Sequence, residues 1–389
     1  MPIVNQISDM HTDMIEWRHY LHSIPELGFD LHKTSAFVER KLREFGADEV
    51  HTGIAQTGLI GIINGQSNGS TIGLRADMDA LPIRENSTAN HASKHDGKMH
   101  ACGHDGHTTM LLGAAKYLAE TRNFSGRVAL IFQPAEEGGG GGQVMCQEGI
   151  MDRFNISQIF GVHNAPGAPH GTFHTNQGAL MAAADTFYID INGSGGHGAQ
   201  PEDTHDPLIA GVTLIQALQT IQSRNLGGVD RAVISVGEFL SGTANNTIPN
   251  TAYISGTVRT FDEDVQSKIA ARMKTICEGI ATSFDVAVDL NYEFGYPATI
   301  NNAQKALLAA EIAKSVVGET HVDDDTDPIF PAEDFAYMLK ERPGAYLFLG
   351  QGDSAPVHHP DYDFNDEISP IGASFLQPWW KRYSRGKKG

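Results

Sequence analysis

The chain of 389 residues has only three cysteines, Cys102, Cys146 and Cys277. An odd, low number of cysteines excludes a fold held together by disulfides and is typical of a reducing compartment. The strongly apolar runs, such as residues 128–132, are far shorter than the roughly 20 residues that a membrane-spanning helix needs. The N-terminus has no basic segment followed by an apolar run, so we expect a cytoplasmic location and no membrane association.

Basic residues are also scarce, since 28 Lys and Arg stand against 47 Asp and Glu, for a net charge of −19. A protein this acidic repels phosphate backbones, so we expect no nucleic-acid partner. The composition, 40% hydrophobic and 19% charged, is typical of a soluble globular protein. At about 150 residues per domain, the length predicts two or three domains.

Helices and strands alternate in the first part of the chain, which predicts a largely parallel sheet covered on both faces. Helices are predicted over residues 7–24, 35–45 and 107–120, with Thr34 or Ser35 capping the second. Strands are predicted over residues 57–63, 70–77, 127–133 and 158–162. The turn-forming residues 64–69 predict a hairpin between the first two strands.

The middle of the chain has the order β-α-β-β-α-β, which is typical of a split ferredoxin-like unit. Its predicted strands are 186–191, 233–239, 253–259 and 286–292, and its helices are 208–223 and 264–283, with Asp262 as an N-cap. Helices at 303–317, 333–341 and 369–382 and a strand at 345–350 follow. The sequence therefore predicts an α/β domain (residues 1–181 and 297–389) interrupted by an α+β domain (residues 182–296).

The densest cluster of metal-binding side-chain types is the segment MHACGHDGH, residues 99–107, which opens a predicted helix. Cys102 and His104 can reach one ion if the backbone between them is extended or turned. Cysteine thiolate and histidine nitrogen are natural ligands of zinc and similar divalent ions. The alternative interpretation is a buried cysteine beside polar residues that cap the helix.

Two adjacent carboxylates, Glu136 and Glu137, follow the predicted strand 127–133 and precede a run of glycines. In open α/β sheets, binding sites lie beyond the carboxyl ends of the strands. Because adjacent side chains usually diverge, one carboxylate can bind a metal while the other acts as a general base. The alternative is an acidic helix start that is favoured by the helix dipole.

Histidines follow two more predicted strands, as His163 and as the pair His358 and His359. Taken alone, His163 is better explained as a structural histidine, and paired histidines in a loop are often ordinary. Together with the cysteine, the histidine and the carboxylates above, they supply about the ligand set that two ions 3.5–4 Å apart need. Such a pair of ions can polarise a carbonyl and deliver hydroxide at neutral pH.

These segments, together with several others, resemble the M20 metallopeptidases. The matching segments, in the order of the family, are MHACGHDGH, FQPAEEGG, GVH, GSGGHGAQP, NTIP, GTVRT, AEDFAYML and VHHPDYDFND. The similarity runs from about Trp17 to Pro378. It is greatest to the amidohydrolase branch, which includes hippurate hydrolases, N-acyl-amino-acid amidohydrolases and auxin-conjugate hydrolases.

The resemblance implies a dimetal α/β catalytic domain with an inserted lid or dimerisation domain, and hence a homodimer. It implies two divalent ions, zinc or manganese, with cobalt or nickel as alternatives. The implied ligands are Cys102, His104, Glu137, His163 and His358. The family has a ligand histidine followed by one residue and then proline, which favours His358, but His359 stays open as the alternative.

The resemblance also implies roles for residues that do not bind the metals. Glu136 is implied as the general base, His197 as the residue that stabilises the oxyanion with help from Asn246, and Arg259 as the residue that binds the substrate carboxylate. Each of the last three has a structural alternative. His197 could be a loop histidine held by glycines, Asn246 could make the turn before a proline, and Arg259 could form an ion pair at a strand end. Asp77 and Asp79 are expected either to orient ligand histidines or to close a strand terminus by ordinary hydrogen bonds.

The resulting hypothesis is metal-dependent hydrolysis of the amide bond of N-acyl amino acids or related small amides, by a metal-activated water and a glutamate base. The first alternative is an exopeptidase that uses the same site on dipeptides. The second alternative is a metal-retaining binding protein without catalytic activity. The acyl group and the amino acid are not specified by the sequence.

Overall fold

The computed structural model describes residues 4–377, which form two compact units. The first unit comprises the residues up to Leu180, Ile300–Asp327 and the residues from Asp334 onward. The second unit comprises Met181–Thr299 and Pro328–Glu333. Within the described range, no helix combines the length and the apolar character that crossing a bilayer requires.

The helices of the described residues are α1 (Asn5–Asp9), α2 (His11–His22), α3 (His32–Phe45), α4 (His104–Thr121), α5 (Gly141–Gln147), α6 (Ile150–Arg153), α7 (Pro207–Thr220), α8 (Glu263–Phe284), α9 (Ala303–Val317), α10 (Phe335–Glu341) and α11 (Ser369–Phe375). The strands are β1 (Glu49–Ile54), β2 (Gly58–Asn64), β3 (Ser67–Asp77), β4 (Ser125–Gln133), β5 (Ile156–Pro166), β6 (Phe173–His174), β7 (Ala179–Met181), β8 (Ala183–Asn192), β9 (Gly196–His197), β10 (Ala232–Ser241), β11 (Thr247–Ile248), β12 (Thr251–Thr260), β13 (Ala287–Tyr296), β14 (Thr299–Ile300), β15 (Val322–Asp323) and β16 (Gly344–Gly352).

The main sheet of the first unit has the strand order β1-β2-β4-β3-β5-β16-β6-β15. Its centre, formed by β4, β3, β5 and β16, is parallel, and β1, β2 and β6 pair antiparallel toward its two sides. The central strands are buried because both faces are covered, and helix α4 is itself buried along most of its length. The predicted mixed α/β fold class is confirmed.

The predicted hairpin between β2 and β3 is wrong, because β4 lies between these two strands. Asn64 of β2 pairs antiparallel with Arg127 of β4, and Thr71 of β3 pairs parallel with the same residue. The turn amides of Gly65 and Gln66 donate to the carbonyls of Gly126 and Phe124, at the start of β4, at 2.9 and 2.8 Å. The turn therefore leads the chain from one side of β4 to the other. As a result, β4 is paired with a strand on each side.

Two helix boundaries also differ from the predictions. The predicted helix 7–24 is interrupted at Met10, where α1 ends and α2 begins. Helix α3 begins at His32 instead of near Thr34, and its early amides are capped by a carboxylate from outside the helix. Glu26 accepts from the backbone N–H of Lys33 and of Thr34 at 3.0 and 2.9 Å. Because the capping carboxylate comes from the preceding loop, the residues at the start of the helix do not reveal it in the sequence.

The second unit contains the strand order β10-β12-β8-β13, and all of its strand pairs are antiparallel. With α7 after β8 and α8 after β12, the chain follows the order of a ferredoxin-like unit. Asp262 caps α8, and its carboxylate accepts from the amides of Asp264 and Val265 at 2.8 and 3.0 Å. In the first unit, the predicted helix 369–382 ends at Phe375, and its part beyond residue 377 lies outside the described residues.

Candidate metal centre

The segments that carry the predicted ligands meet at one edge of the main sheet. Helix α4 begins at His104, the two glutamates follow the end of β4, His163 lies near the end of β5, and His358 follows β16. Because β4, β5 and β16 belong to the parallel part of the sheet, their carboxyl ends point to the same edge. Residues far apart in the sequence are thereby brought together.

The side chains form three overlapping groups, and within each group the potential ligand atoms lie within 4.8 Å of one another. The groups are Cys102 with His104 and His163, Cys102 with Glu137 and His358, and His104 with Glu136 and Glu137. Cys102 Sγ lies 3.5 Å from His163 Nε2. All six predicted residues of the first unit are therefore in one place, and the thiol belongs to two of the groups.

Two ligand segments are connected by a short backbone contact. The amide of His358 donates to the carbonyl of Ala101 at 2.7 Å, and His358 has a φ of +64°. This conformation is uncommon for a non-glycine residue, and the hydrogen bond to Ala101 holds it here. At Gly103, φ is +95°, and a Cβ would collide with the Asn164 amide and the Tyr362 hydroxyl. Only glycine therefore fits between Cys102 and His104.

The two adjacent histidines point to different surroundings. His358 Nε2 lies 3.2 Å from Glu137 Oε1. His359 Nδ1 accepts from the amide of Asp361 at 3.1 Å, while both histidine side chains are about half exposed. Of these two residues, only His358 belongs to a group of potential metal ligands among the described residues.

Two buried atoms of the predicted ligand residues fit a bound metal. His104 Nε2 and Glu137 Oε1 are buried, and neither makes a well-oriented hydrogen bond within the described part of the chain, although Glu137 Oε1 lies within ion-pair distance of His358 Nε2. Leaving buried polar atoms without a hydrogen bond is costly, and coordination of a cation would satisfy both. A donor set of thiolate, imidazole and carboxylate suits zinc, manganese, cobalt or nickel.

Asp79 connects a predicted ligand to both glutamates. Its Oδ1 lies 3.3 Å from His104 Nδ1. The same carboxylate accepts from the backbone amides of Glu136 and Glu137, at 3.1 and 3.0 Å. Asp79 therefore contacts a predicted ligand, His104, and also makes ordinary hydrogen bonds to the backbone after β4, so both expected roles are compatible with its contacts. Asp77 instead lies 2.6 Å from Nδ1 of His107, which is outside the predicted ligand set.

Strong electrostatic interactions hold the site together. Burial alone would lower the pKa of His104, but the charge of Asp77 and the contact with Asp79 raise it well above its usual value. Contacts with Cys102 and Glu137 raise the pKa of His358 to about 10. Since ligands must lose their protons to bind a metal, binding of a metal by these residues would release protons.

Sequence reasoning missed a buried arginine behind the site. Arg75, inside the apolar strand β3, is 2% exposed. Its guanidinium donates to Asp77 Oδ2 at 2.7 Å, to Gln133 Oε1 at 2.9 Å and to Asp334 Oδ1 at 3.1 Å. A charged residue within an otherwise apolar buried strand was the signal that could have identified it, because such a charge needs partners.

In the second unit, His197 and Asn246 are close together. Strand β9 pairs with β11, so that His197 is opposite Thr247, and the amide of Gly198 donates to the carbonyl of Asn246 at 2.8 Å. His197 Nδ1 accepts from the amide of Ala199 at 3.1 Å. Because Nδ1 accepts, Nε2 is the ring nitrogen left to donate, and the residue is exposed.

Arg259 lies on β12 of the second unit and has no carboxylate within ion-pair distance among the described residues. It donates to the hydroxyl of Thr257 and to the carbonyl of Val258, the latter at 3.1 Å. Burial lowers the pKa of this half-buried guanidinium, although the charge of Asp185 opposes the effect. The predicted alternative of an ion pair at the strand end is therefore not seen.

Comparison with known proteins identifies the family. A family model described as peptidase family M20/M25/M40 matches residues 73–382. The chain is 40% identical over 375 residues to a hippurate hydrolase of Campylobacter jejuni, covering 96% of this chain and 97% of that protein. It is 39% identical to an N-acetyl-L-cysteine deacetylase of Bacillus subtilis, covering 95% of this chain and 88% of that protein.

A solved structure gives the same result. The crystal structure of a Bacillus subtilis protein, described as a dinuclear metal binding peptidase from the M20 family, matches with a TM-score of 0.83 and 33% identity. The match covers 95% of this chain and 97% of that one. The chain therefore belongs to peptidase family M20/M25/M40, as its motifs predict, and is a hydrolase of that family.

Proposed function

We propose that the protein hydrolyses the amide bond of N-acyl amino acids at a centre of two divalent ions, with Glu136 as the general base. One observation carries this proposal. Two groups of potential ligands, one containing His163 and the other His358, share Cys102 and lie beside Glu136. The hippurate hydrolase and the N-acetyl-L-cysteine deacetylase among the relatives act, by their names, on such substrates.

The proposed ligands are Cys102, His104, Glu137, His163 and His358. Ions bound by these residues would polarise the scissile carbonyl and make water a nucleophile at neutral pH. Glu136 takes the proton from the attacking water and passes it to the leaving amine. All three cysteines are free thiols, which supports the proposed cytoplasmic location.

Metal analysis combined with a screen for amine release tests this proposal. Purified protein is loaded with zinc or manganese, and with cobalt or nickel for comparison, and is incubated with N-benzoyl amino acids, N-acetyl amino acids and dipeptides. We expect two ions per chain and release of the amino acid from at least one acyl series. Cleavage of dipeptides alone would favour the exopeptidase alternative, and saturable binding without amine release would favour a binding protein.

We propose that His197 donates from Nε2 to the oxyanion of the tetrahedral intermediate and that Asn246 assists. The exposed imidazole, whose Nδ1 already accepts from Ala199, and the neighbouring Asn246 support these roles. Replacing His197 by Ala should lower kcat about 10²- to 10³-fold, as the loss of one oxyanion donor does elsewhere. His197→Gln, whose amide can occupy the place of Nε2, should recover part of this loss. Wild-type kcat in His197→Ala would contradict the assignment.

We propose that Arg259 binds the carboxylate of the substrate, since a half-buried guanidinium without a carboxylate partner is suited to an anionic ligand. Arg259→Met should raise KM about 10- to 100-fold, which corresponds to the loss of a charged hydrogen bond of about 1.5–3 kcal/mol. The control is a substrate whose carboxylate is replaced by an amide. Its kcat/KM should be the same in both proteins, and an equal loss for both substrates would count against this role.

We propose a homodimer formed through the second unit. Strand β10 is an edge strand of its sheet, and open edges are templates for pairing. On the neighbouring helix α7, Ile209 and Val212 are 50% and 39% exposed. Ile209→Asp should convert the dimer to a monomer in sedimentation experiments, because the new charge would be buried. Leu307→Asp, at a similarly exposed position of the first unit, is the control and should remain dimeric.

A further inference from the structure

A buried ion-pair network lies in the first unit and uses none of the proposed ligands. Its centre is Arg18 of α2, which is 1% exposed. The guanidinium donates to both carboxylate oxygens of Asp366, at 2.8 and 2.7 Å, and to Asp363 Oδ1 at 2.8 Å. One turn later on the same helix, buried His22 lies 2.8 Å from Asp105 Oδ2 through Nδ1 and 3.2 Å from Glu85 Oε1 through Nε2.

The partners of this network belong to the segments that carry two of the proposed ligands. Asp105 directly follows His104 in the first turn of α4. Asp363 and Asp366 lie a few residues after His358. The segment of Glu85 is joined to the same loop, because the amide of Asn86 donates to the carbonyl of Pro360 at 3.0 Å. A single helix therefore contacts both ligand segments.

The network is more than an anchor for α2. The helix is already packed into the apolar core through Met14, Trp17 and Leu21. Burial alone would lower the pKa of His22, but Asp105 and Glu85 raise it to about 9. Each ring nitrogen faces a carboxylate of a different segment, and His22 can donate to both of these acceptors only in its charged form. Removing one partner from a buried pair leaves an uncompensated charge, which forces the remaining partner to move or to admit water.

We propose that Arg18 and His22 are positioning residues of the metal centre, which hold His104 and His358 at the spacing that two ions require. They act through Asp105 on the α4 side and through Asp363 and Asp366 on the loop side. This inference rests on the ligand set of the proposed function, and it extends that set to residues that touch neither ion nor substrate. Partners one step removed from a ligand typically contribute about 10- to 100-fold to metal affinity.

Two substitutions of His22 separate its contacts. The amide nitrogen of Asn can take the place of Nδ1, so His22→Asn keeps a donor to Asp105 and loses the contact with Glu85. The amide nitrogen of Gln can take the place of Nε2, so His22→Gln keeps the contact with Glu85 and loses the one with Asp105. Both variants remove the positive charge, and they therefore serve as matched controls for each other.

The experiment is titration of metal-stripped wild type and both variants with Zn²⁺ and Co²⁺, well below the unfolding temperature of each protein. We expect His22→Gln to bind about 10- to 100-fold more weakly and to change the visible spectrum of bound Co²⁺. His22→Asn should stay close to the wild type in both measurements. Arg18→Lys keeps the positive charge but loses the bidentate contact with Asp366. It should also weaken metal binding, and it tests the contacts to the loop that follows His358.

The outcomes separate this inference from the proposed function. Wild-type affinity and an unchanged Co²⁺ spectrum in both His22→Gln and Arg18→Lys would overturn the inference, even if the variants melt at lower temperature, because a merely structural role predicts that result. Equal weakening in the Asn and Gln variants would overturn the route through Asp105. A wild-type protein that binds no ions would instead overturn the proposed ligand set, and the inference with it.

Discussion

Replacing Glu136 by Gln should lower kcat about 10²- to 10⁴-fold, the range that a positioned general base contributes. The amide is nearly the same size as the carboxylate but cannot accept a proton from water. The backbone amide of residue 136 would still donate to Asp79, so the surrounding segment should keep its conformation. The measurement is steady-state amine release at several pH values, with metal content determined on the same sample.

Metal content is the control that makes this result specific. Glu136 lies within reach of His104 and Glu137 but is not among the proposed ligands. Two ions per chain together with the loss of turnover would therefore separate proton transfer from metal binding. If Glu136→Gln turned over substrate at a near-normal rate, the general-base assignment would be refuted. If the variant lost an ion, Glu136 would have to be reassigned as a ligand.

Replacing Cys102 by Ala should abolish measurable activity and reduce the metal content below two ions per chain. Cys102 is the residue that the groups containing His163 and His358 have in common. Its loss would therefore remove a donor from both proposed ion positions at once, whereas the loss of any other proposed ligand would remove a donor from only one of these two groups. Metal analysis after dialysis and the amine-release assay measure the two effects.

Cys146→Ala is the matched control for this prediction. Cys146 lies on α5, is 8% exposed like Cys102, and belongs to no group of potential metal ligands in the described part of the chain. This control should keep two ions and wild-type turnover. Loss of metal in both variants would indicate a general effect on the fold, and full metal content in Cys102→Ala would rule out the thiolate as a ligand.

Local patterns predicted those parts of the fold that depend on local physics. Helix α9 begins and ends at the predicted residues, and Asp262 caps α8 as its position before an amphipathic run indicates. The predictions that failed depend on distant partners. The cap of α3 comes from Glu26, and the neighbour of β2 is β4 instead of β3, because β4 gains a partner on each side.

The sequence by itself determined the family and the types of side chain available for chemistry, because these lie in short segments whose composition and order are independent of folding. Only the tertiary structure decided which of them meet. The parallel arrangement of β4, β5 and β16 brings their carboxyl ends to one edge, and the backbone of His358 is held at Ala101 so that this histidine, and not His359, faces Glu137. The partners of Arg18 and Arg75 were likewise invisible in the sequence, because a buried charge is neutralised by whatever the fold places beside it.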